Sequence, residues 1–280
     1  MKHQILLPFF TAALLLQGCV TVEAKRPATL GPSDGTLVIV GGGMMPQVIF
    51  DRFFEGAGGR DAKIVVVPTA GAAAEYDESF RGVAMFKRAG ATNVHLLHTR
   101  DRNVANSDEF VAVLSDAKAV WFGGGRQWRT ADAYLGTKTE AAFHDVLKRG
   151  GVIGGSSAGA TIQGSYLVRG APKGNHIMMS PGHEQGFGFI QNCAIDQHLL
   201  ARKRKNDMLP VIRKHSHLLG IGIDESTALV VRGNTAEVIG KSKALFYDIA
   251  MEKTLGEKFY ISLDPGEHFN LESRRKLPAK

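Results

Sequence analysis

This 280-residue chain has little cysteine and no hydrophobic run long enough to span a bilayer. Its two cysteines, Cys19 and Cys193, exclude a framework of several disulfides, and we predict that Cys193 is a buried apolar residue. Cysteine pairs and the His-Glu-x-x-His motif are absent, and His215 and His217 lie two positions apart without further ligands nearby. We therefore predict no metal and no cofactor.

The composition indicates neither disorder nor nucleic-acid binding. Hydrophobic residues make up 44% of the chain and charged residues 22%, which is an ordinary globular balance. The formal net charge of +7 favours acidic partners in general. However, the basic clusters at 202–205 and 213–214 lack interleaved aromatic residues, and no nucleic-acid motif accompanies them. A solvated basic surface is the simpler interpretation. The oligomeric state stays open, with a homodimer as one alternative.

The amino terminus has the pattern of an export signal. Lys2 precedes a mostly apolar run at 5–16, which suits the core of a signal peptide. The residues Leu16-Gln17-Gly18-Cys19 resemble the lipobox of bacterial lipoproteins, in which cleavage precedes the cysteine and the cysteine is then lipidated. An ordinary signal peptide with an incidental cysteine is the alternative.

These patterns predict three parts of the chain. They are a signal peptide over 1–18, lipidated Cys19 with a tether over 19–34, and a single domain over 35–280. The lipid would anchor the protein to the periplasmic face of a bacterial membrane. Because Val20 follows the cysteine where many inner-membrane lipoproteins have aspartate, the resemblance implies the outer membrane.

Short apolar runs that end in glycine or turn residues alternate with helical patterns through the first half of the domain. The runs are rich in Val and Ile, which is typical of buried parallel strands, and they lie at 36–40, 63–67, 93–97, 117–122 and 151–154. Helices are predicted between them at 46–54, 75–88, 107–114 and 139–148, with Ser107 as an N-cap. This alternation predicts an α/β fold with a mostly parallel, doubly wound sheet.

The second half has shorter strands joined by tight turns. We predict strands at 219–223, 227–231, 236–239 and 244–247, with a turn at Arg232-Gly233-Asn234. Since these read as hairpins, the sheet should carry an antiparallel extension at one edge.

The segment Gly155-Ser156-Ser157-Ala158-Gly159 matches the nucleophile elbow G-x-S-x-G. It follows a predicted strand and precedes a stretch that can open a helix, which is the context that the motif requires. Spacing from the two glycines selects Ser157 over Ser156 as the nucleophile.

A serine nucleophile needs a base, and two downstream blocks contain suitable side chains. One is Ile195-Asp196-Gln197-His198, and the other ends in Asp224 and Glu225 after an apolar strand. Spacing alone does not pair these residues.

Several blocks together resemble the cyanophycinase and peptidase E family of serine peptidases, over about residues 36–231. They are the elbow with its strand, the run Gly186-Phe187-Gly188-Phe189 leading to 195–198, and the run 220–228. The resemblance implies a three-layer sandwich of the class I glutamine amidotransferase (flavodoxin-like) kind. It implies Ser157 as nucleophile, His198 as general base and Glu225 as the residue that orients the histidine. Asp224 is the competitor for that last role.

The resemblance also implies how a substrate is held. Gly125 and Ala158 would supply the N–H groups of an oxyanion hole, while Gln127, Asp196, Gln197 and Arg202 would bind the substrate, a small, acidic or β-aspartyl peptide. The loop at 123–127 departs from the family, because Arg126 stands where an aspartate is usual. This exchange predicts an altered specificity.

Two other functions stay open. An esterase of the α/β-hydrolase type would order its residues as serine, acid and histidine, with His268 as a candidate last member. A non-catalytic lipoprotein would keep the fold to bind a peptide. The stretch 170–186, which contains three glycines, is either a loop that covers the site or an inert excursion.

Overall fold

The computed structural model describes residues 1, 28, 30–251 and 259–278. Cys19, the predicted signal peptide after Met1 and the tether up to residue 27 lie outside the described residues. Among the described residues, no helix has the length and apolar character needed to cross a membrane.

Five parallel strands form one side of a nine-stranded first sheet. They are β1 (Thr36–Val40), β2 (Ile64–Val67), β3 (Val94–Leu96), β4 (Ala119–Phe122) and β5 (Val152–Ser156), in the order β3-β2-β4-β5-β1. Each begins and ends within two residues of its predicted position. Nearly all of their side chains are buried, because helices or a second sheet cover both faces.

Antiparallel strands extend this sheet beyond β1, as predicted. They are β9 (Thr227–Arg232), β10 (Thr235–Gly240), β13 (His268–Asn270) and β14 (Arg275–Lys276). Strands β9 and β10 form a hairpin whose turn contains Gly233 and Asn234. The predicted α/β fold with a mostly parallel sheet and an antiparallel edge is confirmed.

A second sheet of five strands lies against the first and was not predicted. It contains β6 (Gly164–Tyr166), β7 (Ile190–Gln197), β8 (Leu219–Ile223), β11 (Ala244–Tyr247) and β12 (Tyr260–Leu263), in the order β12-β11-β8-β7-β6. Two strands that we expected in the edge extension, β8 and β11, belong to this sheet. Strand β8 lies between β11, with which it pairs antiparallel, and β7, with which it pairs in parallel, and the pairing with β7 is not recognisable from local turns.

Helices and the second sheet complete the layers. The helices are α1 (Gln47–Ala57), α2 (Arg81–Arg88), α3 (Arg102–Ala105), α4 (Asp108–Val111), α5 (Gln127–Tyr134), α6 (Lys138–Lys148), α7 (Ala158–Thr161) and α8 (Leu209–Lys214). One face of the first sheet packs on α1 and α2 through residues such as Phe53 and Phe86. The other face shares its apolar core with α6, through Phe143, and with the second sheet, through Ile221.

Two predicted helices differ in detail. The helix expected over 75–88 begins only at Arg81. The preceding segment is irregular, and Tyr76 packs its ring against His98 and Phe80, with centroids 4.8 and 5.0 Å away. The helix expected over 107–114 is α4 followed by a 3₁₀ turn, and Ser107 caps it as predicted, accepting a hydrogen bond from Phe110 N at 3.2 Å.

The last part of the predicted tether is bound to the domain. Leu30 O accepts a hydrogen bond from Gln191 N at 2.9 Å, and Gly31 N donates to Asn234 Oδ1 at 3.1 Å. These contacts lie at the start of β7 and at the β9–β10 turn. The chain therefore enters the domain at the amino end of β7.

Candidate active site

Ser157 occupies a strained turn between β5 and α7. Its backbone angles are φ 58° and ψ −111°, which an L-residue adopts only when its surroundings enforce them. The N–H of Ser157 donates to Val40 O at 3.0 Å. A Cβ on Gly155 would lie 2.3 Å from Gly159 O, so the close approach of strand and helix requires glycine there. The two glycines of the motif thus allow the turn that presents the serine.

The side chains of Ser157, His198 and Glu225 form a hydrogen-bonded row. Ser157 Oγ lies 2.9 Å from His198 Nε2, and His198 Nδ1 lies 2.5 Å from Glu225 Oε1. A carboxylate only accepts, so Nδ1 carries the proton when the imidazole is neutral. Nε2 is then free to accept the serine proton, as a general base must.

Strand pairing explains why the histidine and the glutamate meet. Strands β7 and β8 are parallel neighbours, with Gln197 opposite Ile223. Their carboxyl ends therefore lie side by side, and His198 and Glu225 follow these ends directly. Ser157 follows the carboxyl end of β5 in the first sheet. Sites between strand carboxyl ends are the common location for catalysis in open α/β sheets.

Asp224, the competitor of Glu225, has another partner. Its Oδ1 accepts hydrogen bonds from Leu200 N and Ala201 N, both at 2.9 Å, and its Oδ2 accepts from Ser242 Oγ at 2.7 Å. Burial opposes ionisation of Asp224, but these donors outweigh it and lower the pKa of the carboxyl group. The geometry thus assigns the histidine contact to Glu225, while Asp224 holds the turn that follows His198.

Three successive glycines after β1 pack against the hydrogen-bonded row of Ser157, His198 and Glu225. Gly41 O accepts from His198 N, and Gly42 O accepts from Ser226 N, both at 2.8 Å. A Cβ on Gly42 would lie 2.2 Å from His198 Cε1, and a Cβ on Gly43 would lie 2.9 Å from Glu225 Cβ. We call Gly41-Gly42-Gly43 the glycine strap. Its role was missed from the sequence, although a glycine run at the carboxyl end of a buried strand is a usable signal.

The surroundings of His198 favour its neutral form. Burial lowers the pKa of the imidazole, the hydrogen bond with Glu225 acts in the opposite direction, and the positive charge of Arg202 lowers the pKa further. The net direction is downward from the ordinary value. At neutral pH the ring is thus available as a base.

A cavity of about 980 Å³ opens beside Ser157 and His198, and we call it the Ser157 cavity. Gly42 and Gly43 of the glycine strap and the loop 123–125 form part of its wall. The segment 71–82, with Tyr76 and Phe80, and the helix α2 form another part. The segment that sequence patterns placed in a helix is therefore a wall of the cavity.

Only one of the four predicted substrate-binding residues lines this cavity, and it is Arg202. Gln127 is 1% exposed and donates from Nε2 to Val168 O at 2.9 Å. Asp196 is fully buried and Gln197 is 5% exposed. The expectation that these three side chains contact substrate finds no support in this arrangement, because each is enclosed and bonded within the protein.

A buried ion network explains where Asp196 and Gln197 point. Arg169 donates from Nε and Nη2 to the two Asp196 carboxylate oxygens at 2.7 and 2.9 Å, and from Nη2 to Asp207 at 2.6 Å. Arg204 donates to the side chain and the carbonyl of Gln197, both at 3.0 Å. This network holds the end of β7, directly before His198. The part played by Arg169 was not predicted.

The loop after β4 runs beside the nucleophile. A Cβ on Gly124 would lie 3.5 Å from Ser157 Cβ, and Gly125 follows at φ 144°. Arg126, the departure from the family pattern, does not line the cavity and donates to Ala171 O at 2.5 Å. Arg129, one turn further along, lines the cavity instead.

Two alternatives from the sequence fit the structure less well. The stretch 170–186, all of which is described, contributes no residue to the wall of the Ser157 cavity. His268 lies on the edge strand β13, where its Nε2 is 3.9 Å from Glu237, while Ser157 already bonds to His198. The order serine, acid and histidine is therefore not the one that this fold assembles.

Comparison with known proteins places this site in a family. The model for peptidase family S51 matches residues 37–239, which include the glycine strap and all three members of the row. The chain belongs to peptidase family S51. A cyanophycinase of Geminocystis herdmanii is 31% identical over 220 residues, covering 75% of this chain and 80% of that protein. A cyanophycinase of a Nostoc species is 28% identical over 266 residues, covering 87% and 88%.

Two solved structures share this fold. A peptidase from an acI-B1 Actinobacterium superposes with a TM-score of 0.62 at 25% identity, over 86% of this chain and 98% of that one. A putative peptidase E from Listeria monocytogenes shares the fold, with a TM-score of 0.55 at 15% identity over 74% and 99%. The predicted family and fold are confirmed, and this S51 protein is a serine-type peptidase.

Proposed function

We propose that this S51 peptidase hydrolyses β-aspartyl peptides through an acyl-enzyme on Ser157. The observation that carries the proposal is the row from Ser157 Oγ through His198 to Glu225, at 2.9 and 2.5 Å. A non-catalytic binding protein has no need of this row. The β-aspartyl class rests on the S51 assignment, on the relatives named cyanophycinase, and on Arg202 in the cavity, whose guanidinium suits a substrate carboxylate.

In the first step, Ser157 Oγ attacks the carbonyl carbon of the scissile amide while its proton passes to His198 Nε2. The carbonyl oxygen becomes an oxyanion, which the N–H groups of Gly125 and Ala158 stabilise. The C–N bond then breaks, and the imidazolium returns the proton to the leaving amine. Glu225 stabilises the imidazolium and keeps the proton on Nδ1 throughout.

In the second step, water attacks the ester formed on Ser157. His198 Nε2 takes a proton from the water and gives it to the serine oxygen as the C–O bond to the enzyme breaks. The acid product leaves and the row is restored. The low pKa of His198 keeps the base unprotonated at the start of each step.

A fluorophosphonate probe and a dipeptide digest test this proposal together. The wild type and Ser156→Ala should be labelled, Ser157→Ala should not, and mass spectrometry should place the label on the peptide that contains the elbow. In the digest, dipeptides with β-aspartyl bonds should be cleaved and their α-aspartyl isomers should not. Equal labelling of Ser157→Ala refutes the nucleophile, and cleavage restricted to α-bonds or simple esters refutes the substrate class.

We also propose that the mature protein is exported and anchored by a lipid on Cys19. The support is the signal-peptide pattern and the lipobox in the sequence. Cys19→Ala should move the protein from the membrane fraction to the soluble periplasmic fraction. Wild-type protein that is soluble without detergent would refute the anchor.

A further inference from the structure

The charges that line the Ser157 cavity are all of one sign. Four arginines contribute to its wall, namely Arg81, Arg88, Arg129 and Arg202, and no aspartate or glutamate of the described residues does. They come from separate elements, because two lie at the ends of α2, one lies in α5 and one follows His198. The positive lining is therefore a property of the assembled cavity and not of one basic stretch.

These guanidinium groups have no carboxylate partner in the described part of the chain. Arg129 donates to Ala70 O at 3.2 Å and stacks on the Trp128 ring, with 5.2 Å to the centroid, and both contacts leave its charge uncompensated. Arg81, Arg88 and Arg202 form no ion pair there.

Three acidic side chains close to the cavity wall are engaged elsewhere. Asp77 accepts hydrogen bonds from the N–H and hydroxyl of Ser79, at 2.8 and 2.5 Å, and Glu78 pairs with Lys87 at 3.5 Å. Glu225 is bonded to His198. A bound anionic substrate can thus supply the negative charge that the lining of the cavity lacks.

Resting on the proposed function, we propose that the cavity selects β-aspartyl peptides whose leaving residue is acidic and disfavours those whose leaving residue is basic. Arg202, beside the base, is placed to take the carboxylate of the aspartyl residue, which leaves the arginines of α2 and α5 for the rest of the substrate. A guanidinium binds a carboxylate bidentately, whereas a second cation in the same cavity is repelled.

The experiment compares kcat/KM for three β-aspartyl dipeptides that differ only in the leaving residue, which is glutamate, glutamine or lysine. At low salt we expect the order Glu, Gln, Lys, with about a tenfold or larger ratio between the first and the last. Because Arg81 and Arg88 are exposed, the ratio should shrink toward unity in 0.5 M NaCl.

Charge-reversal variants test whether the arginines of α2 cause this substrate preference. Arg81→Glu combined with Arg88→Glu should invert the Glu-to-Lys preference, measured as the ratio of kcat/KM for the two substrates with the same variant. The matched control is Lys87→Glu, which alters a side chain of the same helix that does not line the cavity, and it should keep the wild-type order.

The outcomes separate the two proposals. Cleavage of all three dipeptides at similar rates, or a preference for lysine, overturns the charge selection and leaves the β-aspartyl activity standing. The same is true if Lys87→Glu shifts the preference as much as the double variant does. Failure to cleave any of the three overturns the proposed function and the selection with it.

Discussion

Gly42→Ala gives the sharpest test of how the active site is built. The added Cβ would lie 2.2 Å from His198 Cε1, 2.7 Å from Nδ1 and 2.8 Å from Nε2. Ordinary contact begins near 3.4 Å, so the ring has to move by about 1.2 Å. Such a shift breaks hydrogen bonds of 2.9 and 2.5 Å on both sides of the imidazole.

The expected loss of activity follows from this displacement. A misplacement of about 1 Å in a catalytic group lowers the rate by about 100-fold. We expect at least that loss in kcat/KM for a β-aspartyl dipeptide and in the rate of fluorophosphonate labelling. The backbone at φ 117° adds roughly 1–2 kcal/mol of strain, which is small beside the usual 5–15 kcal/mol of unfolding free energy, so the variant should remain folded.

Gly58→Ala is the matched control. Gly58 also has a positive φ, of 90°, but a Cβ there meets no atom within 4 Å. This variant should lose similar stability, measured as the denaturation midpoint, and keep its activity. If Gly42→Ala retains activity within threefold of the wild type, the argument that the glycine strap positions His198 is wrong.

Three further predictions concern the same site. Glu225→Gln should reduce kcat/KM by about 1,000-fold or more with little change in stability. Asp224→Ala should lower the unfolding free energy by about 1–3 kcal/mol and reduce kcat/KM less than Glu225→Gln does. The reverse ranking would contradict the assignment of roles. Because His198 acts unprotonated and its pKa is lowered, the acid limb of kcat/KM should have its midpoint below the ordinary histidine pKa of about 6.5. A midpoint above that value would refute this. Arg169→Met should destabilise the fold by about 3–5 kcal/mol in a urea titration, because it removes the bidentate guanidinium partner of the buried Asp196 carboxylate. Asp207→Asn, at a half-exposed carboxylate, should lose about 1 kcal/mol or less.

The parts of the fold that could be predicted are those set by local sequence. The Val- and Ile-rich runs of the first sheet need burial on both faces, so composition alone predicts them, and β1 and β2 lie within one residue of the expected bounds. The segment 75–80 does not form the helix that its local sequence predicts. Its apolar spacing resembles that of a helix, but Tyr76 packs between Phe80 and His98 instead. A tertiary contact overrides the pattern there.

The active site likewise contains residues that local sequence predicts and residues whose contacts it does not predict. The elbow glycines and Ser157 are contiguous, so the motif carries them, and Glu225 was chosen over Asp224 by resemblance. That Asp224 binds the turn after His198 depends on how β7 and β8 pair, which no local pattern contains. Burial of Gln127 and Asp196 likewise depends on distant partners, so the family resemblance that implied substrate contacts for them carried no information on their enclosure.

The entry point of the chain has a practical consequence. The amino-terminal segment is bonded at Leu30 and Gly31 to the start of β7, whereas His198 follows the end of that eight-residue strand, roughly 20 Å away. The chain thus enters the domain at the end of β7 opposite its catalytic residues. An attachment made close to this entry point should leave the cavity open to the solution from which substrate arrives.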